Sequence, residues 1–450
     1  MDNTALILAR LQFGITLTYH FWFVALTLGL SVLIAVMETV YVVKNKPEYK
    51  QMAQFWGKLF ILNYAAGVAS GIVQEFQFGM NWAELCRFVG EVIGVSLALE
   101  ALSAFFIEAT LIGIWVYGWD IFSRKVHLAS IWLIAIASNY SAFWVLAANA
   151  FMQQPAGYVF QNNRLELNDL MAIITNHFLY YQYVHTVAAG LLTAGFFVMA
   201  GSACYLLQHR YRKFAYRSFQ AGLICAGLSG LLVFFSGHVY TQHLAKVQPM
   251  KLAAMEGLWE TAEPAPFIVA AVINERQQVN SVELAIPGML SLLANNHYNS
   301  RVPGMKELQE DFAAAYGPRS YFPPVNLLFW SFRVKVGAGM AAILLAAAGW
   351  WYWRKRKLES KRWLLRLMLL GVPLIYICQA AGWLITETGR QPWLVYGWLL
   401  TEQGISKPVT VNQLWFSFLG VNVVYAGMGL AVLYFMRSII IAGPDKPVNN

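Results

Sequence analysis

The chain has 450 residues, 58% of them hydrophobic and 12% charged, with a formal net charge of +9. Soluble domains carry about a quarter charged residues. So few charges cannot cover a soluble surface, and the fold expected is an all-α integral membrane protein. Cys86, Cys204, Cys225 and Cys378 lie far apart without a CxxC pair, which excludes a zinc knuckle, a covalently attached CxxCH haem and a disulfide framework.

Nine stretches are apolar over the ~20 residues that a crossing helix needs. The first, 12–43, carries His20; it lacks a basic leader and is too long for a cleaved signal, so it reads as a true span. Span two is 54–79. Span three, 91–118, carries Glu100 and Glu108, eight residues apart and so expected on roughly one face, about 12 Å apart in height. Span four is 126–151. His185 opens span five, 178–207, and His238 and His243 close span six, 217–243. A long proline-bearing segment, 244–324, follows; its amphipathic stretches KLAAMEGLWE and MKELQEDFAAAY predict partial order against the membrane face. Arg333 and Lys335 open span seven, 325–353. Span eight, 363–387, ends at Glu387, and Trp383, Glu387 and Arg390 share one helix face. Span nine is 410–440. Three segments result: spans one to six (1–243), the long loop (244–324) and spans seven to nine (325–450).

Charge placement sets the orientation. One side holds Lys44, Lys46, Lys50, Arg124, Lys125, Arg210, Arg212, Lys213, Arg217, the run Arg354 to Lys357 with Lys361, Arg362 and Arg366, and Arg437 with Lys446. The short loops of the other side hold only Arg10, Arg87, Arg164, Arg390 and Lys407. The positive-inside rule puts the C-terminus in the cytoplasm, the N-terminus outside and the long loop outside. The basic excess is thus a topology signal, with attraction to anionic lipid, and no nucleic-acid partner is expected.

A charge within the hydrocarbon is costly and calls for a function. His20, Glu100, His185, Arg333, Lys335 and Glu387 come from five spans and all fall in the outer half, with Glu108 deeper. Their convergence predicts a buried redox or ion site. Taken singly, each has a plain reading: an interhelical hydrogen bond for the histidines, snorkelling for Glu387, a carboxylate relay in a transporter for Glu100 and Glu108. His127, His177 and His209 read as solvated.

Seven motifs in order carry a resemblance that spans the chain: ARLQFGITLTYHFWFVALTLG, LALEALSAFFIEATLIGIWVYGWD, NYSAFWVLAANAFMQQPAG, QYVHTV, QPMKLAAMEGLWET, FWSFRVKVG and GWLITETGRQPW. The chain resembles subunit I of the cytochrome bd quinol oxidases, of the type with a short quinol loop. The resemblance implies nine spans and three haems: haem d (or haem b in its place) and two haems b. His20 would ligate one high-spin haem iron with Glu100 beside it, Glu387 the other, and His185 the low-spin haem b. Arg390 and Arg10 would meet propionates or offset Glu387, and Trp383 would bridge haem edges. Glu108 and Glu100 would deliver cytoplasmic protons, with Ser141 and Asn149 on the polar path. Lys251 and Glu256 match the quinol-contacting pair; the plain alternative is an interfacial amphipathic helix. The implied activity is electrogenic quinol oxidation at the outer face with reduction of O2 to water, in a bacterial inner membrane, beside a haem-free subunit II and a small single-span subunit. One position departs: two residues after Arg333 the family has the Met that completes the low-spin haem, and here stands Lys335. That haem is therefore Lys-ligated, five-coordinate, held by another residue or absent. Rival readings are a divergent oxidoreductase with another electron donor and, in a different class, a haem-free transporter.

Overall fold

The computed structural model describes residues 3–444; Lys446 lies outside them. Nine helical spans are found among the described residues. The chain runs through α1 (Asn3–Lys44), α2 (Pro47–Met80), α3 (Ala83–Glu100), a π-helical turn (Ala101–Phe105) and α4 (Phe106–Tyr117). Then come α5 (Arg124–Gln153), the hairpin β1 (Tyr158–Gln161) and β2 (Arg164–Leu167), a short α6 (Leu170–Ile174), α7 (His177–Leu207) and α8 (Arg212–Val247). The long segment holds α9 (Pro249–Glu256), β3 (Phe267–Asn274), β4 (Val279–Ile286), α10 (Met289–Asn295) and α11 (Met305–Tyr316). The chain ends with α12 (Val325–Arg354), α13 (Arg362–Thr388), the short β5 (Trp393–Val395) and β6 (Leu399–Leu400), and α14 (Val411–Ala442).

Helix ends follow local chemistry. Pro47 starts α2, where its missing N–H costs nothing. The Ser123 side chain accepts the Val126 N–H at the start of α5, and Thr410 and Gln413 form a capping box on α14. The helices run past the apolar windows into the polar zone, some with such caps and others, such as α8, α12 and α13, without a side-chain cap.

The centre of the bundle is α7, packed against α1, α5, α8 and α13. Helices approach closely through glycine. A Cβ on Gly29 of α1 would lie 2.2 Å from the Gly190 carbonyl oxygen of α7, and one on Gly195 of α7 would lie 2.8 Å from the backbone of α8. Such contacts suit helices that cannot rely on water to drive them together.

Loop contacts sort the ends into two sides. On the basic side, Arg124 bonds Asn45 (2.5 Å), Lys213 pairs with Glu48 (2.7 Å), and the Tyr205 hydroxyl donates to the Ile440 carbonyl (2.6 Å). On the other side, the Tyr396 N–H donates to the Met152 carbonyl (3.0 Å), and Gln248 donates to the Gln153 carbonyl (2.7 Å). The long segment lies on this second side and is ordered. Its hairpin pairs β3 and β4 antiparallel with two irregularities, and Ile268 and Ala271 pack on Phe329. KLAAMEG forms α9, but this is no interfacial helix, because every residue from Met250 to Glu256 is buried.

Candidate cofactor cavities

Two cavities lie side by side in the half of the bundle nearest the long segment. One, of about 460 Å³, is lined by His20, Glu100, Glu108, Glu387 and their neighbours. The other, of about 320 Å³, is lined by His185, Glu256, Lys335, Cys378 and Met340 among others. Phe21, Thr186 and Trp383 line both and form their common wall; Phe21 and Trp383 meet edge to face at 5.0 Å.

The two histidines are held alike. His20 Nδ1 lies 3.0 Å from Ser70 Oγ, and that hydroxyl donates to the Ala66 carbonyl (2.8 Å). The Ser70 oxygen therefore accepts from Nδ1–H, which leaves the Nε2 lone pair free. His185 Nδ1 lies 3.1 Å from Ser236 Oγ, which donates to the Val233 carbonyl. The residue after each serine is glycine. A Cβ on Gly71 would lie 2.9 Å from His20 Cε1, and one on Gly237 would lie 3.2 Å from His185 Cε1. Each imidazole thus has a serine to fix its tautomer and a glycine to give it room, the usual support of a metal-binding histidine. Ser-Gly alone does not mark such a site, since Ser229-Gly230 carries the same dipeptide and its hydroxyl bonds only its own helix.

Glu387 accepts from Asn149 Nδ2 (2.9 Å) and from Arg390 Nη2 (2.8 Å). Arg390 is only 2% exposed, and its Nε and Nη1 meet no acceptor. A buried guanidinium with two unmet donors suits a further carboxylate. Ser141 donates to Glu100 (2.6 Å), and Ser138, not foreseen, donates to Glu108. Both carboxylates line the His20 cavity because of the π turn between them. Eight residues of uniform α-helix would set them about 80° apart; a π turn takes up roughly one residue and brings them near alignment. Tyr64, whose hydroxyl has no partner among the described residues, and Glu75 also line this cavity; Glu75, a carboxyl inside span two, carries the same sequence signal as Glu100, while nothing in its local sequence marks Tyr64.

Other expected residues fall elsewhere. Arg333 lines neither cavity. It pairs with Glu256 (2.8 Å), donates to the carbonyls of Met255 and Ile268, and stacks over Phe329 (4.0 Å), so it fastens α9 and β3 to α12. Lys251 also stays out of the cavity that Glu256 lines. Its Nζ donates to the Thr386 carbonyl (3.1 Å) and to Gln153 (3.3 Å), behind Glu387. Burial, with Arg390 nearby and Glu387 opposing, pulls the Lys251 amine down to about 7. Burial raises the Glu256 carboxyl against the opposing pull of Arg333. Arg10 is half-buried, lines neither cavity and makes no ion pair among the described residues. His127 is a correction. It is not solvated but buried, with Nδ1 2.6 Å from Glu38 and Nε2 donating to the Trp115 carbonyl (2.8 Å). His238 lines the His185 cavity, and His243 bonds Gln154 (3.1 Å).

Among the described residues no group of three His, Cys, Asp or Glu could hold a bare metal ion. Each cavity instead offers isolated donors with free lone pairs in apolar walls. That donor set fits an iron whose equatorial positions a macrocycle already fills.

Residues 8–444 match the family described as cytochrome bd terminal oxidase subunit I. Cytochrome bd ubiquinol oxidase subunit 1 of Bacillus subtilis is 44% identical over 436 residues, which is 96% of this chain and 93% of that protein. Cytochrome bd-II ubiquinol oxidase subunit 1 of Escherichia coli is 37% identical, covering 97% of this chain and 96% of its own. The solved bd oxidase from Geobacillus thermodenitrificans superposes with a TM-score of 0.89 at 28% identity, over 99% of this chain and 100% of the matched one.

Proposed function

The chain belongs to the cytochrome bd terminal oxidase subunit I family, and from that premise we infer that it is the haem-bearing catalytic subunit of a quinol:oxygen oxidoreductase in a multi-pass membrane complex. This membership leaves no place for the haem-free transporter. The observation that supports the reading most is the pair of adjoining cavities, each presenting one histidine with a free Nε2, joined through Trp383.

His20 and Glu387 would hold the two high-spin haems, b and d, of the larger cavity, and His185 the low-spin haem b of the smaller. Bound haem supplies the one-electron steps and the place where O2 binds. The chain's own residues supply position and protons. Arg390 pairs with Glu387, and its spare Nε and Nη1 donors would be available to a propionate. Glu256, buried on the wall of the His185 cavity and held by Arg333, would take a proton as quinol is oxidised. Lys251 sits behind Glu387 and steadies the Thr386 carbonyl rather than the quinol. Glu108 with Ser138 and Glu100 with Ser141 form two stations of a proton path from the basic side to the His20 cavity. Trp383, with Phe21 and Thr186 one of the three residues that line both cavities, would serve as an aromatic bridge between them. With the basic side cytoplasmic, quinol releases its protons outside and O2 takes up protons from within, so turnover separates charge. The complex would lie in the bacterial inner membrane, with a haem-free subunit II and a single-span subunit on the exposed faces of the bundle.

The test is a reduced-minus-oxidised spectrum of the purified complex, with haem extraction, together with O2 uptake driven by reduced quinol. Haem b bands, a longer-wavelength haem d band and quinol-dependent uptake are expected. Protein without haem, or haem protein that consumes no O2 with any quinol, overturns the reading.

A further inference from the structure

The smaller cavity presents a second nitrogen. Lys335 lines it with His185, and Lys335 Nζ has no hydrogen-bond or ion-pair partner among the described residues. The nearest anion on the cavity wall, Glu256, is taken by Arg333 at 2.8 Å. About half of the remaining wall is Phe, Val, Leu, Ile and Ala, with Gln182, Gln379 and three threonines among the rest. The amide oxygens of Gln182 and Gln379 also face these walls without a partner among the described residues, yet neither bonds Lys335 Nζ; an ammonium left without a counter-ion or a bonded acceptor is costly. The stem is also given a track: a Cβ on Gly382 would lie 3.8 Å from Lys335 Cδ and Cε, and the Cys378 thiol donates to the Lys335 carbonyl (3.3 Å). The other donors on the walls are less well placed. His238 Nε2 is engaged with Gln242 (3.1 Å). Met340 is 40% exposed and, five residues on, points about 140° around α12 from Lys335. Cys378 is turned to the Lys335 backbone.

We propose that the Lys335 amine is the second axial ligand of the iron held by His185. Coordination would use the amine lone pair, remove an unpaired charge from the cavity, and give the iron a second nitrogen ligand. Two nitrogen donors make a six-coordinate, low-spin centre of lower potential than one with a thioether, since thioether ligation raises the potential. The inference rests on the functional reading above, because it assumes that haem is bound.

The test uses the purified holo complex. Near-infrared magnetic circular dichroism and EPR of the oxidised wild type should show a low-spin haem with an imidazole–amine signature. In Lys335→Met the charge-transfer band should move to the imidazole–thioether position and the low-spin potential should rise. Lys335→Arg keeps the charge but cannot ligate, and it should lose the six-coordinate signal while the spectrum of the His20 cavity stays unchanged. Cys378→Ala and Met340→Leu should leave the signature in place. A wild-type signature of imidazole–thioether, or a high-spin haem at His185, overturns the proposal without any variant having to fold. So does an unchanged low-spin spectrum in Lys335→Arg. Protein with no haem at all sinks the oxidase reading instead, which keeps the two failures distinct.

Discussion

Two buried ionisable side chains on α9 part company within five residues. Glu256 faces the smaller cavity, and Lys251 is folded back behind Glu387. Glu256→Gln removes the base but not the shape. Quinol turnover should fall by about 10²-fold or more, with haem content unchanged, as read by O2 uptake against the pyridine haemochrome. Lys251 has a different signature. Folding holds its amine at about 7 against an ordinary 10.5, so the folded state disfavours the proton. The penalty is absent above about 10.5, grows as pH falls and is complete below about 7. Wild type should therefore lose thermal stability relative to Lys251→Met as pH is lowered through that window, by several degrees in Tm. Parallel Tm-versus-pH curves for the two would rule this out. The serines behind the histidines are testable too. Ser236→Ala frees the His185 tautomer and should weaken haem retention about tenfold or more, while Gly237→Val should expel the ring from its place and lose that haem alone.

Among the elements, the junction of α3 and α4 and the basic-side ends of α1, α4 and α5 matter most. The π turn Ala101–Phe105 decides whether Glu100 and Glu108 share a cavity. The ends are tied by a closed cluster: Glu38 of α1 accepts from Trp115 Nε1 (2.8 Å), and His127 of α5 bridges Glu38 and the Trp115 carbonyl. Because a carbonyl only accepts, His127 Nε2 is the donor to Trp115. Glu38→Leu strands a buried imidazole and the Trp115 N–H, and should cost about 3–5 kcal/mol, seen as early unfolding in detergent. Glu38→Leu with His127→Phe should recover much of the loss. If the double variant is as unstable as the single one, the pair does more than satisfy itself.

At the scale of the molecule, the two cavities share one wall, built from Phe21, Thr186 and Trp383. Trp383→Leu should leave every haem in place but slow electron transfer between the cavities, measured by flow-flash re-oxidation; unchanged rates would assign the wall to Phe21 and direct edge contact. The windows of apolar sequence located the spans, since composition alone records exposure to lipid. They overlooked the three small hairpins, because strands of two to eight residues in an apolar chain have no distinctive period. His20, His185 and Glu387 were legible because a polar group in an apolar run is conspicuous. Ser70 and Ser236 were not, since a serine in a span usually bonds its own helix. Arg333 shows the opposite: its depth was readable, its direction was not.

Composition, the polar residues at membrane depth and the sorted Lys and Arg settle by themselves that this is a nine-span helical membrane protein with a buried polar centre. Those features depend only on transfer from water to lipid, which acts on each residue separately. Which polar groups meet depends on helix rotation, a π turn that takes up a residue, glycines that admit a ring, and partners from distant segments. The tertiary structure alone therefore set Glu256 and Lys335 into one cavity, turned Lys251 away from it and buried His127 against Glu38.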